Sequence, residues 1–278
     1  MKTSIADFKS KALEIRRMVL NMCIKAGTGH VTSSMSCVEI LVALYYGGIL
    51  RHDPKNPKWP DRDRLILSKA QASPTLYTIL ADRGFYDVKD LDSFAQVGGK
   101  FGVHLQKTVP GVEISCGSLG QGFGTGAGIA LGARLNREYF MTFAILGDGE
   151  LYEGSTWETA MFAAHYRLNN LIAIVDRNYL CTTDFTENLV ALEPMTEKWK
   201  AFGWDAIEIE GHDMEEVVRA LGNVRSRRAE RPYVVIAKTV KGKGVESLSD
   251  NPICHGIAPK GEDAQRAVAE LERSSIHE

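Results

Sequence analysis

An alternation constrains this chain more than any other feature. MTFAILGD (141–148) is followed by STWETAMFAAHYR (155–167), then NLIAIVD (170–176), then DAIEIEGHD (205–213), and last YVVIAKT (233–239). The apolar runs are strand-length. STWETAMFAAHYR reads as a helix, with Glu158 early and Arg167 late to complement its dipole. After DAIEIEGHD, Asp213 can cap a further helix with Glu216 three residues on, and Met214, Val217, Val218 and Leu221 line one side of it. Apolar strands alternating with helices of this length predict βαβ units and a parallel sheet covered on both faces. The fold class is α/β.

Upstream, Phe8, Ala12, Ile15, Val19 and Met22 recur at steps of four and three, which predicts an opening amphipathic helix. A turn at GTGH leads to a second helix near Ser36 to Tyr46. Residues 51–64 (RHDPKNPKWPDRDR) are proline-rich and charged, hence a loop. LILS then reads as a short buried strand and SPTLYTILADRG as a helix with proline near its start. No repeat, low-complexity segment or composition break divides the chain, so residues 1–278 are expected to form one domain.

Charge narrows the partners. The net charge is −2 with both signs interspersed, which argues against nucleic acid or an anionic membrane. The densest basic cluster, Arg225 to Arg231, reads as the polar end of a helix. Cys23, Cys37, Cys116, Cys181 and Cys254 are odd in number, widely spaced and without a CxxC pair, as expected of reduced thiols in the cytoplasm. The N-terminus has no apolar signal core, and Gly117 to Ala133 is too glycine-rich and short to span a bilayer.

The alternation also places chemistry. Asp148 ends one strand and Asn178 follows the next, 178 − 148 = 30 residues later, one strand–helix–strand unit. Right-handed crossovers bring both to the carboxyl edge of the sheet, where open α/β sheets bind ligands. Gly147 and Gly149 let the backbone approach a ligand, and the helix after Glu153 aims its positive end the same way. A carboxylate and an amide oxygen suit Mg²⁺ or Ca²⁺ bridging to a diphosphate. Taken singly, Asp148 could merely cap a helix and Asn178 merely make a turn; the pair at this spacing points to a metal–diphosphate site.

GDG followed after about 30 residues by Asn resembles thiamine diphosphate enzymes, and the whole chain resembles the transketolase family. The resembling pieces run in order: KAGTGHVTSSMSCVEILVALYYGGIL, DRDRLILSKAQASPTLYTIL, TVPGVEISCGSLGQGFGTGAGIALGARL, GDGELYEGSTWETAMFAAHYRLNNLIAIVDRN, KWKAFGWDAIEIEGHD, KTVKGKG and HGIAP. The resemblance implies the thiamine-diphosphate-binding fold, with Mg²⁺ held by Asp148, Asn178 and the Leu180 carbonyl. It implies that Gly149 gives its amide to the diphosphate and that Gly117, Ser118 and Leu119 meet the aminopyrimidine. His30, His104 and His255 match histidines lining the thiazolium and the donor sugar, a task suited to imidazoles that donate hydrogen bonds and shuttle protons. Glu153 matches an acid of the family's interface network; read alone, it is a first-turn helix acid. His52, His165, His212 and His277 carry no such match.

The chain departs from the family at KAQAS, where Gln71 replaces the usual histidine, and at GTGHVTSS, which lacks the usual proline. An amide can still hydrogen-bond a phosphate or hydroxyl but cannot become cationic. Gly122, Gly124 and Ala127 loosely fit a dinucleotide pattern, yet no acid follows at the required distance. Gly120, Gly124, Gly128 and Gly132 recur every four residues instead, a bare stripe suited to close approach by another protein chain. In the family, the glutamate that activates the cofactor lies in a second, pyrimidine-binding domain. The resemblance therefore implies a split enzyme, with that domain on a separate chain in an α₂β₂ assembly acting on a ketose donor. Three functions remain open: two-carbon ketol transfer to an aldehyde; a specialised-pathway reaction moving a ketol or acyl unit to a non-sugar or carrier-bound acceptor, motivated by Gln71; and a non-catalytic assembly protein. KTVKGKG and HGIAP speak against the α chain of a 2-oxo acid dehydrogenase.

Overall fold

The computed structural model describes residues 4–228 and 230–274. Helix α1 (Ile5–Ala26) starts at a capping box formed by Ser4 and Asp7 and stops at Gly27, whose φ of 68° is left-handed. Two helices follow, α2 (Val31–Met35) and α3 (Val38–Tyr46), then β1 (Arg64–Leu67), α4 (Ser73–Asp82), α5 (Gln121–Leu135), β2 (Thr142–Gly147), α6 (Gly154–His165) and β3 (Leu171–Arg177). The chain continues through α7 (Thr186–Leu189), α8 (Met195–Ala201), β4 (Asp205–Glu210), α9 (Met214–Gly222), β5 (Tyr233–Lys238) and α10 (Gly261–Ser274).

The strands form one parallel sheet in the order β1-β2-β3-β5-β4. Alternate strand residues point to opposite faces, and each face has its own core. Leu65, Phe143, Ile145, Ile172, Ile174 and Val235 pack with α1, α3, α4, α9 and α10. Ile66, Ala144, Leu146, Ala173, Val175 and Ile236 pack with α5, α6 and α8. This is the α/β architecture expected from the sequence, a central parallel sheet with helices on both faces. In register, Gly147 sits beside Asp176 and Asp176 beside Ala237, so β2, β3 and β5 end level with one another.

Two expectations need correction. The second helix begins at Val38, not Ser36, because Cys37 (φ −104°, ψ 16°) interrupts it and residues 31–35 form a separate turn of helix. The basic cluster is not a helix end: α9 stops at Gly222, and Arg225 and Arg227 lie beyond it, ion-paired to Asp63 and Asp205. Asp213 does cap α9, accepting from the Glu215 and Glu216 amides, whereas Glu216 accepts from the Glu210 amide rather than from the cap. Among the described residues no helix is long and apolar enough to cross a membrane, and all five cysteines are free.

Candidate active site

One cavity opens at the carboxyl edge of the sheet, and the ends of four strands contribute to it. β1 is followed by Lys69 and Gln71, β2 by Asp148, Gly149 and Glu150, β3 by Asn178, Leu180 and Cys181, and β5 by Lys241. His30 and Ser33 come from the start of α2, and loops bring His104, Gly117, Leu119 and His255. The cavity thus gathers His30, Gln71, His104, Gly117, Leu119, Gly147, Asp148, Gly149, Asn178, Leu180 and His255, all singled out from the sequence. Ser118 is exposed outside its lining. Glu153 is also exposed, at the start of α6 beside Gly120.

The oxygen donors are set by local backbone bonds. Asp148 is buried; its Oδ2 accepts from the Tyr179 amide (2.6 Å) and Arg177 Nη1 (3.2 Å), and its Oδ1 from the Gly149 amide (2.8 Å). It therefore bridges β2 to the segment after β3 and caps no helix. Asn178 Oδ1 accepts from the Leu180 amide at 3.2 Å, so the turn reading of this residue also holds. Burial and the nearby Asp176 carboxylate push the Asp148 carboxyl up to about 6, against the pull of Arg177 and the two amides.

The opposite sign of charge faces the same space. Lys241 Nζ lies 3.0 Å from His255 Nδ1 and donates to the Cys181 carbonyl (3.3 Å). Burial and the neighbouring Lys69 bring it down to about 8. Lys69 is 1% exposed and donates to the Ser33 carbonyl (3.0 Å), Ser36 Oγ (3.3 Å) and Asp176. Burial alone would lower its pKa; the Asp176 carboxylate outweighs burial and raises it. Asp176 in turn accepts from Ser36 Oγ (2.6 Å) and Thr239 Oγ1.

Three imidazoles form the rim. The His30 ring centroid lies 5.1 Å from His255 and 5.5 Å from His104. Burial, then His104 and Lys241, brings His30 down to about 4, and burial, then Lys241 and His30, does the same to His255. Both rings are neutral near pH 7 and able to donate and accept. His30 Nδ1 is buried without a hydrogen-bond partner. Gly29 permits this position, with φ at 127° and no room for a Cβ, which would lie 2.7 Å from Cys23 Sγ.

Sequence reasoning missed several of these groups. Glu150 is 1% exposed; it accepts from the Gly120 amide (2.8 Å), the Gly147 amide (3.2 Å) and Ser68 Oγ, fastening three loops to one carboxylate. Lys69, Asp176 and Arg177 were also missed, although each is an ionisable residue inside or directly after an apolar run, a placement rare without a partner. Of the unmatched histidines, His212 is a structural tie: Nδ1 lies 3.1 Å from Glu39 Oε2, and Nε2 accepts from the Val240 amide (2.8 Å). His52 bonds the Leu50 carbonyl, His165 ends α6 against Tyr166, and His277 lies outside the described residues.

The donor set suits a divalent cation joined to an anion. Hard oxygens from Asp148 and Asn178 line the same cavity as Leu180, while Lys241 supplies positive charge and the side-chain-free Gly147 and Gly149 leave room for a diphosphate.

Comparison with known proteins identifies the family. Residues 8–272 match the family described as "Transketolase, thiamine diphosphate binding domain". The 6-deoxy-6-sulfo-D-fructose transketolase subunit SqwG of Clostridium sp. (strain MSTE9) is 39% identical over 269 residues, covering 96% of this chain and 97% of that protein. A protein of Phocaeicola vulgatus named as a subunit of apulose-4-phosphate transketolase is 36% identical over 256 residues, 92% of this chain and 90% of that one. Homo sapiens transketolase is 33% identical over 264 residues, which cover 95% of this chain but 42% of the human protein. The crystal structure of transketolase from Campylobacter jejuni superposes with a TM-score of 0.88 at 32% identity, again over 95% of this chain and 42% of that one. The chain thus spans less than half of these longer transketolases and nearly all of the two proteins named as subunits, and it belongs to the transketolase family, carrying that family's thiamine-diphosphate-binding domain.

Proposed function

We propose that this chain is the diphosphate-binding subunit of a split, Mg²⁺-dependent transketolase that moves a two-carbon ketol unit from a ketose donor to an aldehyde acceptor in the cytoplasm. The observation that carries the reading is the convergence of Asp148, Asn178 and Leu180 with Lys241, His30, His104 and His255 on one cavity. Asp148, Asn178 and the Leu180 carbonyl would hold the metal, Gly147, Gly149 and Gln71 would meet the diphosphate, and Gly117, Ser118 and Leu119 the aminopyrimidine. Bound thiamine diphosphate supplies the carbanion chemistry that breaks and forms a carbon–carbon bond beside a carbonyl. The histidines orient the donor oxygens and carry protons, since three rings with centroids 5.1 and 5.5 Å apart face one substrate space.

The partner is a separate pyrimidine-binding chain, paired as α₂β₂. Two relatives of matching length are named as subunits, and α5 presents Gly128 exposed, with nothing within 4 Å of a Cβ built there. Glu153 before α6, Met161 and Phe162 on it and Tyr166 just after it are also exposed. Gln71 and the named substrates of the relatives favour a donor other than the usual ketose phosphates. Calorimetry of thiamine diphosphate with Mg²⁺, with and without a pyrimidine-binding partner chain, tests the cofactor. Ketol transfer from 6-deoxy-6-sulfo-D-fructose, apulose 4-phosphate and xylulose 5-phosphate tests the reaction. Absence of cofactor binding by the pair would leave a non-catalytic assembly role, and turnover by this chain alone would refute the split.

A further inference from the structure

Arg177 is a guanidinium placed one hydrogen bond from the carboxylate that the proposed function gives to the metal. Its side chain is 1% exposed and meets four partners. Nη1 donates to Asp148 Oδ2 (3.2 Å) and Thr186 Oγ1 (2.6 Å), Nη2 to Glu187 (2.8 Å), and Nε to Glu193 (3.1 Å). Left to itself, such a cation would repel a divalent ion at Asp148. The two glutamates draw its charge the other way: their side chains, 38% and 42% exposed, lie toward solvent on the opposite edge of the fork. Neither lines the cavity.

The same contacts select an oxygen. A carboxylate offers about four acceptor directions. Oδ2 of Asp148 takes two donors, Arg177 and the Tyr179 amide, while Oδ1 takes one, the Gly149 amide. The remaining direction is on Oδ1.

We propose that Glu187 and Glu193 are remote determinants of cation affinity: they hold the charge of Arg177 away from Asp148, whose Oδ1 is left free to meet the ion while the Tyr179 amide holds Oδ2. The inference rests on the metal-dependent reading above. It makes two exposed carboxylates outside the cavity matter to a site they never touch.

The test titrates Mn²⁺ into the full chain with thiamine diphosphate present, following free Mn²⁺ by paramagnetic resonance. Glu187 receives both Arg177 and the Leu192 amide on Oε1, so glutamine there removes charge and little else; Glu193 receives Arg177 on Oε1 and the Met195 amide on Oε2, so glutamine there also gives up one of these two bonds. Each of Glu187→Gln and Glu193→Gln is expected to weaken Mn²⁺ binding about threefold, and the pair about tenfold, in line with partly exposed ion pairs. Adding Arg177→Met to the pair is expected to restore affinity, because the unbalanced charge is gone. A double variant with wild-type affinity overturns the proposal. So does a triple variant as weak as the double, since that pattern means the segment was merely loosened. Where the double variant does not fold, Glu187→Gln alone carries the test. A wild-type chain that binds neither Mn²⁺ nor cofactor, even with its partner, sinks the functional reading itself, an outcome distinct from binding that is insensitive to the glutamates.

Discussion

Glu39 offers the most quantitative test of how this structure holds its site. It lies on α3, 5% exposed, with Arg16 Nη2 of α1 2.7 Å from both its oxygens and His212 Nδ1 3.1 Å away. Since His212 Nε2 accepts from the Val240 amide, the chain of contacts runs from α1 to the backbone beside Lys241. Burial would raise this carboxyl, but Arg16 and His212 outweigh it and hold Glu39 at about 2 against an ordinary 4.5. A folded value below the unfolded one means stability that is present above the unfolded value and lost as pH falls through the folded one. The difference corresponds to ~3 kcal/mol at neutral pH, of which roughly 1.4 kcal/mol is gone by about pH 3.5. Glu39→Gln removes this contribution and leaves the buried Arg16 without its counter-charge, so the variant should lose at least ~3 kcal/mol near neutrality. Urea unfolding at several pH values between about 3.5 and 7.5 reads the effect. The gap between wild type and variant should narrow on acidification, by roughly 1.4 kcal/mol across this range. A variant within about 1 kcal/mol of wild type at neutral pH, or a gap that stays constant, would refute the reasoning.

Other consequences are as direct. Lys69→Met strands the fully buried Asp176 with only its hydroxyl donors and should cost about 3–5 kcal/mol in urea unfolding; Lys69→Met/Asp176→Asn should recover part of that, and a double variant no better than the single would count against the pair. Gly29→Ala forces a side chain onto φ 127° and into Cys23 Sγ, so about 2–3 kcal/mol should be lost; an unchanged melting temperature would contradict the close approach. His30 and His255, both brought down from 6.5 to about 4, should remain neutral in imidazole NMR titrations down to about pH 5; because the unfolded chain takes up these protons first, stability falls as pH drops from about 6.5 to about 4. Ring signals that titrate at the ordinary 6.5 would show that burial does not control them.

What was legible in the sequence followed from periodicity. MTFAILGD and NLIAIVD announce β2 and β3 because both faces are covered and every residue from Thr142 to Gly147 and from Leu171 to Arg177 is buried. Asp148 and Asn178 could be placed at one edge because successive crossovers have one hand. His104 reached the cavity through a loop that has no regular period, so only likeness to a family could point to it. α2 was hidden because VTSSM is a single turn buried on every side, with no apolar stripe. Lys69, Glu150, Asp176 and Arg177 were overlooked for more than one reason. Asp176 is 107 residues from Lys69 and Glu150 is 82 from Ser68, and pairing at that distance leaves no local pattern. Arg177 finds its partners nearer, but Thr186 and Glu187 stand on α7, four residues long, and Glu193 follows it, too short a helix to show a period.

The placement of β5 reaches back to the making of the protein. Residues 233–238 fill the gap between β3 and β4, both of which leave the ribosome earlier. Until they emerge, the nascent chain carries two strands with a bare row of amides and carbonyls each, the kind of edge that recruits strangers. Closure of the sheet is therefore a late event, and the same insertion that completes it delivers Lys241 to the cavity, so a chain interrupted before β5 has neither a finished sheet nor a finished site.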